Sequence, residues 1–483
     1  MIDRIKALES KATALEPERN HITTLTTTYA EKHLASIYNT KAYFSEDPGG
    51  KSFLDHPIGE EGTNIEELLS IIHEEVDEAG INAAAHGHLG YIPGGGLYAS
   101  ALGDYLAAVT NNYAGIFFAS PGAVRLENQL ITWMAEMVGY QAGYAGNLSS
   151  GGSIANLTAV VTARDAHELK SADIPKAVIY CTHQMHHCLL KAIRIAGLKE
   201  AHLREIPQDN RHRMVPETLK AQIEKDKAEG LNPWLVIASA GTTDVGAVDP
   251  LEEVGQVAKS YNCWYHIDAA YGGFFMLLDE KKHLFRGAAL SDSIVLDPHK
   301  GLFLPFGTGA LLVRNKQHLL DSHFYMANYL QDVHTPDAEL SPADLSPELT
   351  KHFRGLRMWL PLKLHGLGPF KAALEEKLAL CEYFYTKIQE IPNIEVGPEP
   401  ELSVCYFRYL PENGDSNTFN QQLLNLIHQD GRVFMSSTTL DNKFLIRAAV
   451  LSFRTHLASI DLALDIIKTN IEKLKKSEVP TSP

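Results

Sequence analysis

Cysteine is scarce and scattered. There are five, Cys181, Cys188, Cys263, Cys381 and Cys405, with no CxxC pair. An odd number at such spacings excludes a disulfide framework and reads as buried thiols in a reducing compartment, the cytoplasm. No apolar run approaches the roughly 20 residues of a membrane-spanning helix. The opening Met1-Ile2-Asp3-Arg4-Ile5-Lys6 has mixed charge where a secretory signal has an apolar core. Basic residues are in deficit, 43 Lys and Arg against 59 Asp and Glu, a net charge of −16. That argues against general nucleic-acid binding and leaves only local basic sites for an anionic ligand. Repeats and low-complexity tracts are missing too. What remains is 45% hydrophobic and 21% charged over 483 residues, the composition of a soluble globular chain with roughly two to four domains.

The apolar residues gather in short runs separated by helix-length segments. The first forty residues are polar and helix-compatible, and 41–62 read as loop. Residues 65–76 read as a helix, capped by Asn64, with Ile65, Leu68, Leu69 and Ile72 at helical spacing. A glycine-dense stretch follows, His86-Gly87-His88-Leu89-Gly90-Tyr91-Ile92-Pro93-Gly94-Gly95-Gly96. It either turns the chain or lets backbone approach a ligand closely. Strand-like runs at 177–181, 234–240, 264–268, 293–297 and 309–313 then alternate with helical segments such as 250–261. The alternation predicts βαβ units and a mostly parallel sheet covered on both faces. The last two runs stand too close for a crossover helix, so one antiparallel strand is expected. A long helical run at 370–391 precedes a mixed tail with strand candidates at 403–409 and 444–450. The chain thus divides into a helical segment (1–97), a large α/β domain (98–366) and a smaller C-terminal α+β domain (367–483).

Ligands of open α/β sheets collect at the carboxyl ends of the strands. There the run at 293–297 delivers Asp297-Pro298-His299-Lys300, and the run at 264–268 ends in Asp268-Ala269-Ala270-Tyr271-Gly272-Gly273. Alone, the lysine would be surface charge and the aspartate a helix cap. As a pair on buried strands they are what pyridoxal phosphate needs. The amine forms a Schiff base with the aldehyde, and the carboxylate pairs with the protonated pyridine nitrogen. Ala270 is small enough to lie against a flat ring. Ser149-Ser150-Gly151-Gly152-Ser153 supplies glycines and hydroxyls to a helix start, as phosphate binding requires, and fits neither a P-loop nor GxGxxG. Cys181-Thr182-His183-Gln184-Met185-His186-His187-Cys188 gathers metal-type side chains, but at no structural zinc spacing. A histidine stacked on the cofactor is the preferred reading there, and no metal is expected. Gly241-Thr242-Thr243 brings hydroxyls to the end of another strand.

In this order the segments resemble the group II pyridoxal-phosphate-dependent amino-acid decarboxylases, which include aromatic-L-amino-acid, 2,4-diaminobutyrate and animal-type glutamate decarboxylases. The resemblance covers nearly the whole chain. It rests on Gly151-Gly152-Ser153-Ile154-Ala155, Gln184-Met185-His186, Gly241-Thr242-Thr243, His266-Ile267-Asp268-Ala269-Ala270-Tyr271-Gly272-Gly273 and Asp297-Pro298-His299-Lys300. It implies the aspartate-aminotransferase-like fold (fold type I) and a homodimer with sites at the subunit interface. It further implies Lys300 as the cofactor's lysine, Asp268 on the pyridine nitrogen and His186 stacked on the ring. Gly152, Ser153 and His299 would hold the phosphate, with Thr243 and Ala270 beside the ring. Asn328-Tyr329-Leu330-Gln331-Asp332 resembles the start of the family's mobile catalytic loop, which makes Tyr329 the general acid. Tyr91-Ile92-Pro93-Gly94-Gly95-Gly96 occupies the substrate-pocket region, with Tyr91 and Pro93 as substrate contacts; aromatic-amino-acid members carry a second aromatic and bulkier residues there, and Ile92 and the glycines depart from that pattern. Asp297 stands where many members have Asn. A carboxylate repels a phosphate, so Asp297 is expected to turn away or to hold a proton. The implied reaction converts an L-amino acid, an aromatic one first, to its amine and carbon dioxide. The alternatives are an acidic or diamino-acid substrate (aspartate, cysteine sulfinate, 2,4-diaminobutyrate), an aldehyde synthase or aminotransferase, and an inactive binding homologue.

Overall fold

Side chains along the central strands alternate between two dry cores, and that alternation fixes the sheet. The computed structural model describes residues 1–15, 19–45, 49–50, 52–92, 94–325 and 339–478. Near the N-terminus, β1 (Tyr43–Phe44) and β2 (Gly80–Ile81) form a short antiparallel ribbon. The main sheet contains β3 (Ala145–Ser149), β4 (Ala177–Cys181), β5 (His202–Glu205), β6 (Asn232–Ser239), β7 (Trp264–Asp268), β8 (Ser293–Leu296) and β9 (Gly309–Val313). Their order is β3-β9-β8-β7-β6-β4-β5. Six strands run one way; β9 runs against both its neighbours, as the short 293–313 connection requires.

Tyr265, Ile267, Ile294, Leu296, Ala310 and Leu312 face one core, together with Leu130 and Met134 of helix Pro121–Val138 and Val254 and Ala258 of helix Leu251–Ser260. The intervening residues Trp264, Val295, Leu311 and Val313 face the other. That second core is closed by Ala155, Ala159 and Ala163 of helix Gly152–Ala166 and by Leu189 and Ala192 of helix His187–Ile195. Small alanines let the first of these helices lie close to the sheet.

The C-terminal portion is a separate antiparallel sheet of β10 (Ile394–Val396), β11 (Val404–Tyr409), β12 (Ser436–Leu440) and β13 (Lys443–Ala449), in the order β10-β11-β13-β12. Helices Leu367–Ile388, Ser416–Asp430 and Leu457–Glu478 cover it around Phe384, Phe407, Phe419 and Ile467. The helix expected at 65–76 is α-helical over Ile65–Ile72 and then widens into a π turn, His73–Asp77. Asn64 does cap it, accepting the Glu67 N–H at 2.8 Å. All five thiols are buried and unpaired. Among the described residues no helix is long and apolar enough to cross a membrane. Nor, among them, do three or more His, Cys, Asp or Glu side chains meet to hold a metal.

Candidate active site

The carboxyl ends of β3, β4, β6, β7 and β8 open onto one cavity of about 340 Å³, a size usual for small-molecule and cofactor sites. Gly152, Ser153, His186, Thr243, Asp268, Ala270, His299 and Lys300 all line it. Each is placed by its strand. β7 ends in Asp268. After β8 comes a single helical turn, Pro298–Gly301, begun by a proline at its first position, and this turn presents His299 and Lys300. After β3 the chain enters helix Gly152–Ala166, and Gly151, Gly152 and Ser153 at its start line the cavity. After β4, His186 caps helix His187–Ile195, its Nδ1 accepting the Cys188 N–H at 3.3 Å. After β6, Gly241 turns the chain at φ 99°, and the Thr243 and Asp244 carbonyls accept from the buried Arg447 guanidinium of β13. The small sheet thereby anchors the wall of the cavity.

Lys300 Nζ lies 2.9 Å from Asp297 Oδ2. Burial alone would lower the Lys300 ammonium, but the carboxylates of Asp297 and Asp268 hold it above its ordinary value. Asp297 does not turn away as expected. It lines the cavity, and its Oδ1 is buried without a partner among the described residues. Asp268 is buried too. Its Oδ1 accepts the Ala270 N–H at 3.1 Å and its Oδ2 the Asn156 amide at 3.2 Å. Burial lowers both His186 and His299, so both imidazoles favour the neutral form. His299 Nδ1 is 2.6 Å from the Thr308 carbonyl.

This donor set fits pyridoxal phosphate. An amine and a buried carboxylate share one cavity with a helix N-terminus, and Ala270 leaves that wall shallow. Gly152 is required for the approach. A Cβ there would stand 2.8 Å from Asp297 Oδ2 and 3.3 Å from the Ala270 Cβ. Gln184 Oε1, another unpartnered buried atom, also lies on a lining residue.

Not every expected residue meets the cavity. Tyr91 does not line it. Tyr91 is 57% exposed, has left-handed backbone (φ 55°) and rests against Phe434 at 5.6 Å. Pro93 and Tyr329 lie outside the described residues. Conversely, Asn156, Cys188, Ser239 and Phe306 line the cavity without having been singled out for it. Asn156 was legible in principle, since it stands three residues after Ser153 and so on the same helix face.

Residues 52–410 match the pyridoxal-dependent decarboxylase conserved domain. The aromatic-L-amino-acid decarboxylase of Bacillus atrophaeus is 33% identical over 408 residues, covering 83% of this chain and 84% of its own. Tryptophan decarboxylase 2 of Oryza sativa subsp. japonica is 28% identical over 426 residues, covering 84% and 86%. In fold, the crystal structure of Oryza sativa TDC with PLP and tryptamine superposes with a TM-score of 0.89 at 24% identity, over 94% of this chain and 98% of that one.

Proposed function

Since the chain belongs to the family of pyridoxal-dependent decarboxylases, we propose that its cavity seats the cofactor on Lys300 and that its substrate is an aromatic L-amino acid. The protein is a pyridoxal-phosphate-dependent amino-acid decarboxylase of fold type I. The aromatic substrate is favoured by what the similar proteins are named for, and by Phe306, which lines the cavity and is 64% exposed at its rim.

When bound, pyridoxal phosphate supplies the electron sink for the pair left as the Cα–carboxylate bond breaks. The chain's own residues do the rest. Lys300 Nζ would attach the cofactor. Asp268 would hold the proton at the pyridine nitrogen. His186 would stack on the ring, and Ala270 is small enough to lie against it. The N–H groups at the start of helix Gly152–Ala166, with Ser153 and His299, would bind the phosphate. Thr243 would stand beside the ring. Tyr329 gives the proton to Cα, a role that separates amine formation from aldehyde formation. We further assign 1–97 to dimer contacts, 98–366 to the cofactor domain and 367–483 to the small domain, in a cytoplasmic homodimer. Tyr91 and Pro93 would contact substrate from that interface.

The observation that carries this reading is the convergence of eight expected residues on one cavity. Borohydride reduction and peptide mapping of the cofactor-loaded protein should place the pyridoxyl group on Lys300; a label on another lysine removes that assignment. Carbon dioxide release should then be measured with aromatic, acidic and diamino acids. Turnover confined to the acidic or diamino acids would overturn the aromatic reading.

A further inference from the structure

Behind Asp268 stands a chain of four buried side chains. Trp264, His266 and Asp268 alternate onto one face of β7, because strand side chains have a period of two. His266 is the register partner of Ser293 on β8, and Asn156 descends from helix Gly152–Ala166 over the same face. Asn156 and Ser293 are fully buried, His266 and Trp264 nearly so. Trp264 Nε1 is 2.9 Å from Ser293 Oγ, and Ser293 Oγ is 2.8 Å from His266 Nδ1. His266 Nε2 is 2.8 Å from Asn156 Oδ1, and Asn156 Nδ2 is 3.2 Å from Asp268 Oδ2.

The direction of every link follows from the two ends. An indole N–H only donates and a carboxylate only accepts. Facing Asp268, the Asn156 amide must turn its NH2 to the carboxylate and its oxygen to His266. His266 must then carry its proton on Nε2. Burial pushes this imidazole down to about 4, despite the opposing pulls of Asp268 and of a hydrogen bond to the Ser293 backbone, so the ring is neutral; with its one proton on Nε2 toward Asn156, Nδ1 is bare. Ser293 therefore donates to Nδ1 while accepting from Trp264. The second N–H of Asn156 points at Cys188 Sγ, 3.3 Å away, a thiol that burial raises to about 12 and so keeps protonated.

We propose that Trp264, Ser293, His266 and Asn156 form a one-way hydrogen-bond chain that positions Asp268 as an acceptor only, so that the proton it shares with the cofactor stays on the pyridine nitrogen. The four are positioning residues acting through Asp268. The inference rests on the reading that Asp268 faces that nitrogen. The chain is preorganised: its dipoles already point at the carboxylate and need no rearrangement when charge enters the ring.

The test is the ring-nitrogen NMR shift of pyridoxal phosphate, 15N-labelled in the ring and bound to the protein without substrate. Wild type should show a protonated nitrogen. Asn156→Leu and His266→Phe should move the shift toward the unprotonated position and lower kcat roughly tenfold with little change in KM, the scale on which outer-shell partners act. His266→Gln, whose side-chain N–H replaces Nε2–H, should restore most of both. Asp268→Asn separates the two claims. If Asp268→Asn leaves the shift at its wild-type position, the reading of Asp268 fails. If it moves the shift while Asn156→Leu and His266→Phe do not, the chain is overturned and that reading stands. Should the buried variants not fold, the cofactor-free wild-type protein decides. Its 15N-histidine spectrum, with the His266 ring assigned by through-bond correlation to its own backbone amide, should show the Nε2–H tautomer. An Nδ1–H or imidazolium signal at neutral pH overturns the proposal.

Discussion

Asp297 pairs with the lysine proposed to carry the cofactor. Its Oδ2 has Lys300 as a cation partner at 2.9 Å, and its Oδ1 has no partner among the described residues. Once Lys300 is attached to the cofactor, the carboxylate loses that cation beside the proposed phosphate seat, and a buried uncompensated charge is costly. Asp297→Asn keeps the shape and removes the charge. It also frees Lys300 from a carboxylate that holds its ammonium charged. Both effects favour attachment, so the variant should bind pyridoxal phosphate about tenfold more tightly, ~1.4 kcal/mol. Weaker binding in an absorbance titration would show that the ion pair preorganises Lys300 instead. His88 sets a second test at this scale. Its ring is buried, stacked on Phe434 at 5.6 Å, and its Nδ1 has no partner among the described residues. Burial lowers this imidazole to about 4. Between pH 6.5 and 4 the unfolded chain binds a proton that folded His88 refuses. Stability is therefore unaffected by His88 above 6.5 and falls as pH drops through that window, by up to about 3 kcal/mol. His88→Leu should flatten that part of the stability–pH curve, measured by urea unfolding, and an unchanged slope would contradict the assignment.

The elements that sequence revealed are those whose apolar pattern matches their burial. β4, β7 and β9 stand where the runs at 177–181, 264–268 and 309–313 put them, because each is a short apolar run buried along its whole length. β3 escaped notice. Ala145-Gly146-Asn147-Leu148-Ser149 has no β-branched residue, and it is a strand because β9 pairs with it and the Leu345 carbonyl accepts the Asn147 amide at 2.9 Å. β5 and β10 are half-exposed edge strands of four and three residues, too short to carry a pattern. In the cavity, Lys300 and Asp268 were legible as strand-end residues, whereas Asn156 was legible only through its three-residue spacing from Ser153 on a helix. Ion pairs between distant segments were not legible at all. Lys351 Nζ meets Glu127 Oε1 at 3.0 Å with both side chains buried, and the same oxygen accepts the Leu148 N–H of β3 at 2.9 Å. The pair ties helix Pro121–Val138 and β3 to the segment after 339. Lys351→Met strands a buried carboxylate and should cost roughly 3–5 kcal/mol. Adding Glu127→Leu removes that charge and should recover part of the loss. A double-variant loss equal to the sum of the separate Lys351→Met and Glu127→Leu losses, measured by denaturation, would mean that the pair is not coupled.

At the scale of the whole molecule, helix Tyr98–Thr110 has too many apolar faces for one chain. Ala99, Gly103 and Ala107 are buried on one side. Gly103 is needed there because a Cβ would come within 2.7 Å of the Leu356 carbonyl on helix Arg354–His365. Leu102, Tyr105, Leu106 and Val109 repeat at the spacing of a second face and are 40%, 59%, 45% and 65% exposed. Phe118 is exposed as well, at 66%. A helix buried on one face and apolar on another is built for a second partner, and contiguous exposed apolar surface marks association. We expect that partner to be a second copy, in line with the proposed homodimer. A charge placed in the middle of the face should block it: by helical spacing Val109→Asp lies well away from the side that carries Ala99, Gly103 and Ala107 and leaves that packing intact. Sedimentation should show wild type at twice the chain mass and the variant at 53.3 kDa. If the active site is completed across the interface, the variant should also lose decarboxylation while keeping its far-UV circular dichroism. A wild-type protein that sediments as a monomer at micromolar concentration and still turns over substrate would remove the interface from the mechanism, and with it the substrate roles of Tyr91 and Pro93.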